Sequence, residues 1–242
     1  MKKNILIIGA NSDIAKEISK LYLKQNNLLY LFTRNKIELE KYESGIFVNK
    51  NVKIFELHEN GLNLFLENLE NLENKPDIAY IANGYMGNNN KFSLDEVKKI
   101  FEINFFIPIK YSEVIVNYFI KHDIKGKLAV FTSVAGLRGR SKNYFYGAAK
   151  SALISYLSGL RQKYFNKEIS VTTIILGYVN TKMLSGENQK FNVHLISDPG
   201  AIAKKIIKYV EKKKEIFFPL KWRVIMFIIK LIPEKIFKKL NF

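Results

Sequence analysis

The chain reads as an α/β domain of the doubly wound type, and three features of its 242 residues predict this. Short apolar runs alternate with longer helical patterns, the runs are apolar at successive rather than alternate positions, and the length suits one sizeable core. A strand that is apolar on both faces must be covered on both faces. That is the situation of a parallel sheet between two helical layers, here a Rossmann-type sheet of about seven strands.

Taken in order, NILIIGA predicts the first strand and DIAKEISKLYLKQ the first helix, beginning near Ser12 or Asp13. LLYLFTR is a second strand, followed by a polar helix, and VKIFEL a third. DIAYIANG is the fourth, and a helix is expected around residues 94–106. KLAVFTS is the fifth strand, the helix bearing Tyr146 follows, SVTTIILG is the sixth, and EIFFP at residues 215–219 supplies a short last strand. There is no repeat, low-complexity tract or Pro/Gly/Ser-rich linker, so residues 1–219 are expected to be one domain.

Beyond Pro219 the composition shifts to LKWRVIMFIIKLIPEKIFKKLNF, a basic and apolar helical tail over residues 220–242. Its apolar centre from Trp222 to Ile232 gives a helix of only about 16 Å, roughly half of a hydrocarbon layer of about 30 Å, so it cannot span a membrane. Trp222 beside Arg223, with Lys230 and the later lysines, suits an amphipathic segment lying at an anionic membrane surface. Packing against the core or contact with another subunit is the alternative.

Composition narrows the remaining possibilities. Absence of cysteine excludes disulfides, thiolate metal sites and cysteine nucleophiles, and the cytoplasm is the simplest expected location, with peripheral attachment to the inner face of a membrane through the tail. Polar and acidic residues follow the first apolar run at once, which favours a strand there over a signal peptide. The net charge of +17 suits nucleic acid, an anionic membrane or an acidic ligand, but the lysines are scattered and no nucleic-acid module accompanies them. No nucleic-acid partner is expected. His58, His122 and His194 have no partners at ligand spacing, so no metal is expected either.

The chemistry-bearing residues lie in TSVAGLRGRSKNYFYGAAK. The pattern Tyr-x-x-x-Lys occurs three times in this lysine-rich chain, but only Tyr146 and Lys150 have a serine, Ser133, thirteen residues before the tyrosine at the end of an apolar strand. Residues four apart share a helix face, so Lys150 reaches past Tyr146, and an ammonium there favours phenolate. A hydroxyl, a phenol and an amine so placed form an acid–base device for a carbonyl or alcohol, with Ser133 donating to the substrate oxygen.

Upstream, Gly9 follows the first strand and precedes a helix, where a doubly wound sheet receives a dinucleotide pyrophosphate. Gly9, Asn11, Ser12, Asp13 and Ile14 make up this loop, with Asp13 and Ala15 where a fuller motif has glycines. Asp13 is expected to turn outward and cap the helix, away from phosphate. Arg34 at the end of the second strand suits a 2′-phosphate, so NADP(H) is preferred over NAD(H). Ala82, Asn83 and Gly84 after the fourth strand form a small turn that lets backbone approach the adenosine.

Together these segments resemble the short-chain dehydrogenase/reductase family over residues 3–219. Asn104 in FEINFF matches its catalytic asparagine, and Leu176-Gly177-Tyr178-Val179-Asn180-Thr181 its Pro-Gly-x-x-x-Thr stretch, with leucine for proline. The resemblance implies hydride transfer between NADP(H) and a ketone or secondary alcohol. In it Tyr146 is the proton donor or acceptor, Lys150 holds the nicotinamide ribose and lowers the Tyr146 pKa, and Ser133 polarises the substrate oxygen. Asn104 positions a water linked to Lys150 or stabilises a helix kink, and Gly177, Val179 and Thr181 approach the carboxamide. Residues 182–199 would form a substrate lid, and a homo-oligomer is the usual state. Within the family, the Asp-Ile-Ala loop, Arg34 and the tail are loosely similar to reductases of keto-sugars carried on polyprenyl phosphate, such as decaprenylphosphoryl-2-keto-ribose reductase. A 3-oxoacyl or other small-ketone reductase is the alternative, and a non-catalytic NADP-binding regulator or scaffold the alternative of another class.

Overall fold

A computed structural model of the chain describes residues 2–58, 61–87, 92–185 and 193–240. Seven strands form one parallel sheet: β1 (Asn4–Ile8), β2 (Leu28–Thr33), β3 (Val52–Glu56), β4 (Ile78–Ile81), β5 (Lys127–Ser133), β6 (Ser170–Leu176) and β7 (Ile216–Phe217). Their order is β3-β2-β1-β4-β5-β6-β7, so the winding reverses between β1 and β4. The chain therefore diverges beyond the carboxyl ends of these two strands, opening the crevice in which such sheets bind ligands.

The inner strands β1, β2, β4, β5 and β6 are mainly apolar because each serves two cores. In β1, Ile5 and Ile7 face a layer containing α1 (Asp13–Leu23) and α8 (Pro199–Glu211), where Ile14, Ile18, Ile206 and Val210 are buried with them. Leu6 and Ile8 face the other layer, with Ile115 and Phe119 of α5 (Ile107–Lys121) and Leu153 and Leu157 of α6 (Tyr144–Lys163). Period-two geometry applied to a strand buried on both sides gives this pattern. Short helices α2 (Lys36–Glu40), α3 (Leu62–Glu70) and α7 (Lys182–Ser185) fill connections, and α9 (Leu220–Leu231) and α10 (Glu234–Phe237) follow β7.

The helix expected around residues 94–106 is longer and interrupted. It begins as α4 (Leu94–Phe101), capped by Ser93, passes through a π turn at Glu102–Phe106 and continues without a break into α5. Pro108 accounts for the misread boundary: it lacks the N–H that would close an α-helical turn on the Asn104 carbonyl, and the wider turn accommodates it without ending the helix.

Among the described residues, no helix is long and apolar enough to cross a membrane.

Candidate active site

Ser133 is the last residue of β5 and caps the short turn Val134–Gly136, its Oγ accepting from the Ala135 N–H at 3.1 Å. That leaves the hydroxyl proton available to donate. Tyr146 and Lys150 lie one turn apart on α6, both buried. The turn and the helix meet backbone to backbone at Gly147, where a Cβ would stand 2.8 Å from the Ala135 carbonyl oxygen. Glycine there lets the segment carrying Ser133 lie directly against the first turn of the helix carrying Tyr146.

Lys150 Nζ donates to the Asn83 carbonyl at 3.3 Å and the Phe131 carbonyl at 3.2 Å, and stands 5.8 Å from the centre of the Tyr146 ring. No carboxylate pairs with it among the described residues, and burial lowers its pKa from 10.5 to about 7. Desolvation thus works against the ammonium that the sequence places beside Tyr146.

Asn104 is fully buried in the π turn. Its Nδ2 donates to the carbonyls of Tyr85 (2.7 Å) and Ile100 (2.8 Å), and its Oδ1 accepts from the Tyr85 N–H at 3.1 Å. Of the two roles expected for it, the side chain fills the structural one. It fastens the kinked helix to the loop that follows Gly84 and so fixes one wall of the site.

At the other end, Gly9, Asn11, Ser12, Asp13 and Ile14 line the same cavity as Arg34, Ala82, Asn83 and Gly84. Asp13 does not cap its helix. Ser12 occupies the cap position without a side-chain bond, and Asp13 Oδ2 instead accepts from the backbone N–H of Lys182 at 2.7 Å. That bond turns the carboxylate toward the loop after β6 and anchors the start of α7. Arg34 is exposed and forms no ion pair among the described residues. The nearby Glu38 is matched by Lys16 Nζ at 3.7 Å and Lys182 Nζ at 3.2 Å, so its charge is already countered.

The cavity has a volume of about 420 Å³ and contains Ser133, Tyr146, Lys150, Gly177, Val179 and Thr181 as well as the loop residues. Three of its side-chain oxygens, Oδ1 of Asn11, Asn83 and Asn143, are buried with no partner among the described residues. Buried acceptors left open are costly unless a ligand or water satisfies them. Hydroxyl-rich ribose and an adenine amine are suitable donors, so these residues fit a dinucleotide.

Sequence reading missed Glu38, Arg140 and Asn143. The last two lie inside the TSVAGLRGRSKNYFYGAAK segment, and Glu38 lies in the first turn of α2, four residues after Arg34. Met183 and Leu184 also line the cavity, from the part of the expected lid that is described; residues 186–192 of that lid lie outside the described residues.

The tail packs behind the wall at Gly177 and Tyr178. Trp222 and Met226 of α9 are buried with Val134 and Ile175, and the Trp222 ring meets Tyr178 edge to face at 5.0 Å. A Cβ on Gly177 would lie 1.9 Å from the indole Nε1. Arg138 donates to the Ile232 carbonyl and pairs with Glu234 at 2.7 Å, with its guanidinium over the Phe237 ring. Of the roles expected for the tail, packing against the core is met by its inner face.

A family model described as short chain dehydrogenase matches residues 3–192. The chain belongs to the short-chain dehydrogenase family. One relative, dehydrogenase/reductase SDR family member 7B of Xenopus tropicalis, is 23% identical over 236 residues, covering 88% of this chain and 75% of its own. Among solved short-chain dehydrogenases, one from Burkholderia cenocepacia J2315 in complex with NADP has a TM-score of 0.80 at 12% identity, covering 98% of this chain and 97% of that one. A 4-hydroxyisoleucine dehydrogenase complexed with NADH has a TM-score of 0.75 at 24% identity, covering 89% and 97%. At such identities the likeness establishes the seven-stranded Rossmann-type fold.

Proposed function

We propose that this short-chain dehydrogenase reduces a ketone to a secondary alcohol with NADPH, and that the ketone is carried on a lipid. The observation that carries the reaction is the convergence of Ser133, Tyr146 and Lys150 at one end of a cavity whose other end is formed by the Gly9–Ile14 loop and Arg34. A bound NADPH would supply the hydride to the carbonyl carbon. The Tyr146 hydroxyl then gives its proton to the carbonyl oxygen, Ser133 Oγ–H donates to that oxygen as charge builds on it, and Lys150 Nζ stands behind Tyr146 to return a proton. A pKa of about 7 suits Nζ to that task near neutral pH.

NADPH is favoured over NADH because Arg34 carries a cation with no acidic partner among the described residues, whereas Glu38 is already matched by Lys16 and Lys182. The NADP-bound relative from Burkholderia cenocepacia supports this choice, and the NADH-bound 4-hydroxyisoleucine dehydrogenase shows that related folds also take the other cofactor. The lipid-linked substrate, of which a keto-sugar on a polyprenyl phosphate is the specific form, is supported by the apolar outer face of α9 beside the cavity wall and by the net charge of +17.

Tyr146→Phe tests the reaction. NADPH oxidation with an accepted ketone should fall roughly 10²-fold or more, while NADPH affinity stays within about twofold. Turnover equal to wild type would remove Tyr146 as the proton donor.

A further inference from the structure

Helix α9 has two apolar faces, and only one of them is covered. At about 100° per residue, Trp222, Ile225, Met226 and Ile229 fall on one side, where they pack against Val134, Ile175 and Tyr178. Leu220, Val224, Phe227, Ile228 and Leu231 fall on the opposite side and are between 51% and 72% exposed. Cations mark the seams between the faces: Arg223 and Lys230 on one, Lys221 on the other, all exposed.

We infer that this outer face of α9 docks on an anionic lipid surface. An apolar stripe flanked by lysine and arginine lets the chain place its apolar side chains at the acyl boundary while the cations remain level with lipid phosphates. Charge selects lipid over a second copy of the chain. Residues 220–242 hold six cations and a single carboxylate, Glu234, which Arg138 already engages. Two copies meeting through this stripe would bring cationic seams together with no carboxylate between them, whereas anionic headgroups would neutralise both seams. At 12 residues the helix is too short to cross the layer, so it lies along it.

The inner face links this surface to the catalytic cavity. Trp222, on the same helix, touches Gly177 and Tyr178, both of which line the cavity. A docked α9 would therefore set the cavity wall next to the headgroup layer, within reach of a substrate that stays in the bilayer.

The test needs no turnover and so does not depend on the proposed reaction. The purified full chain is sedimented with vesicles of phosphatidylcholine alone and of phosphatidylcholine containing about a third phosphatidylglycerol. Wild type should pellet with the anionic vesicles, less so with the neutral ones, and progressively less as salt is raised. The triple variant Val224→Ser, Phe227→Ser, Ile228→Ser alters only exposed positions. It should keep its circular dichroism and NADPH affinity while binding anionic vesicles roughly tenfold or more weakly. Wild type remaining in the supernatant, or the variant pelleting as well as wild type, would overturn the proposal. So would a wild-type dimer that the triple variant dissolves in the absence of vesicle binding, which would assign the face to a second copy.

Discussion

Replacing Lys150 by methionine should change how stability depends on pH, in a direction opposite to that of a salt-bridged lysine. Burial lowers the amine pKa from 10.5 to about 7, with the Asn83 and Phe131 carbonyls as its hydrogen-bond partners among the described residues, so the protonated form is disfavoured in the folded state by about 5 kcal/mol. Well below pH 7 the lysine is charged in both folded and unfolded chains, and the folded chain bears that whole penalty. Between about pH 7 and pH 10.5 the unfolded chain holds the proton that the folded one has released, so stability rises with pH across this window. For the two pKa values the gain from pH 7 to pH 9 is about 2 kcal/mol. Methionine is similar in shape and does not titrate. Urea unfolding of the cofactor-free proteins at a series of pH values should therefore show wild type gaining about 2 kcal/mol on Lys150→Met between pH 7 and pH 9. At pH 7 the variant should be the more stable of the two while being unable to turn over ketone. A stability difference that stays flat across this range would refute the assignment of Lys150 as a buried amine titrating near neutrality.

Two further outcomes follow from the cavity. Arg34→Ala should weaken NADPH binding by roughly tenfold or more and leave NADH binding nearly unchanged, as read by titration of intrinsic fluorescence; equal discrimination in the two proteins would remove the phosphate-clamp role. Gly177→Ala would place a Cβ 1.9 Å from the Trp222 indole, so the helix must shift. A loss of about 1–3 kcal/mol in urea unfolding is expected, and unchanged stability would contradict the close packing of α9 on the cavity wall.

The inner strands β1, β2, β4, β5 and β6 were legible because each is buried on both faces, which leaves a largely apolar run in the sequence. The Ser133, Tyr146 and Lys150 set was legible for a related reason: strand end and helix start are positions that local sequence defines. Other features depend on groups far apart in the chain. Asp13 reads as a helix cap until the backbone of Lys182, 169 residues away, is brought to it. The Lys150 ammonium reads as an ordinary charged group until its burial is known. The helix around Asn104 reads as ending near Phe106, and only the π turn at Glu102–Phe106 shows that it runs on into α5, with Asn104 bonded to Tyr85 and Ile100. In α9 the apolar run was plain, but a run that is apolar on two sides gives no indication of which side meets the core.

That division of α9 separates what the fold demands from what its surroundings demand. The side of Trp222 and Met226 is constrained by the shape of the domain, so removing the whole segment would confound a folding defect with a change of address. The side of Leu220, Val224, Phe227, Ile228 and Leu231 is more than half exposed and can be rewritten alone. Exchanging those five residues for polar ones offers a route to a water-loving form of the same catalyst, and exchanging them for another recognition stripe would send an intact cavity to a different destination.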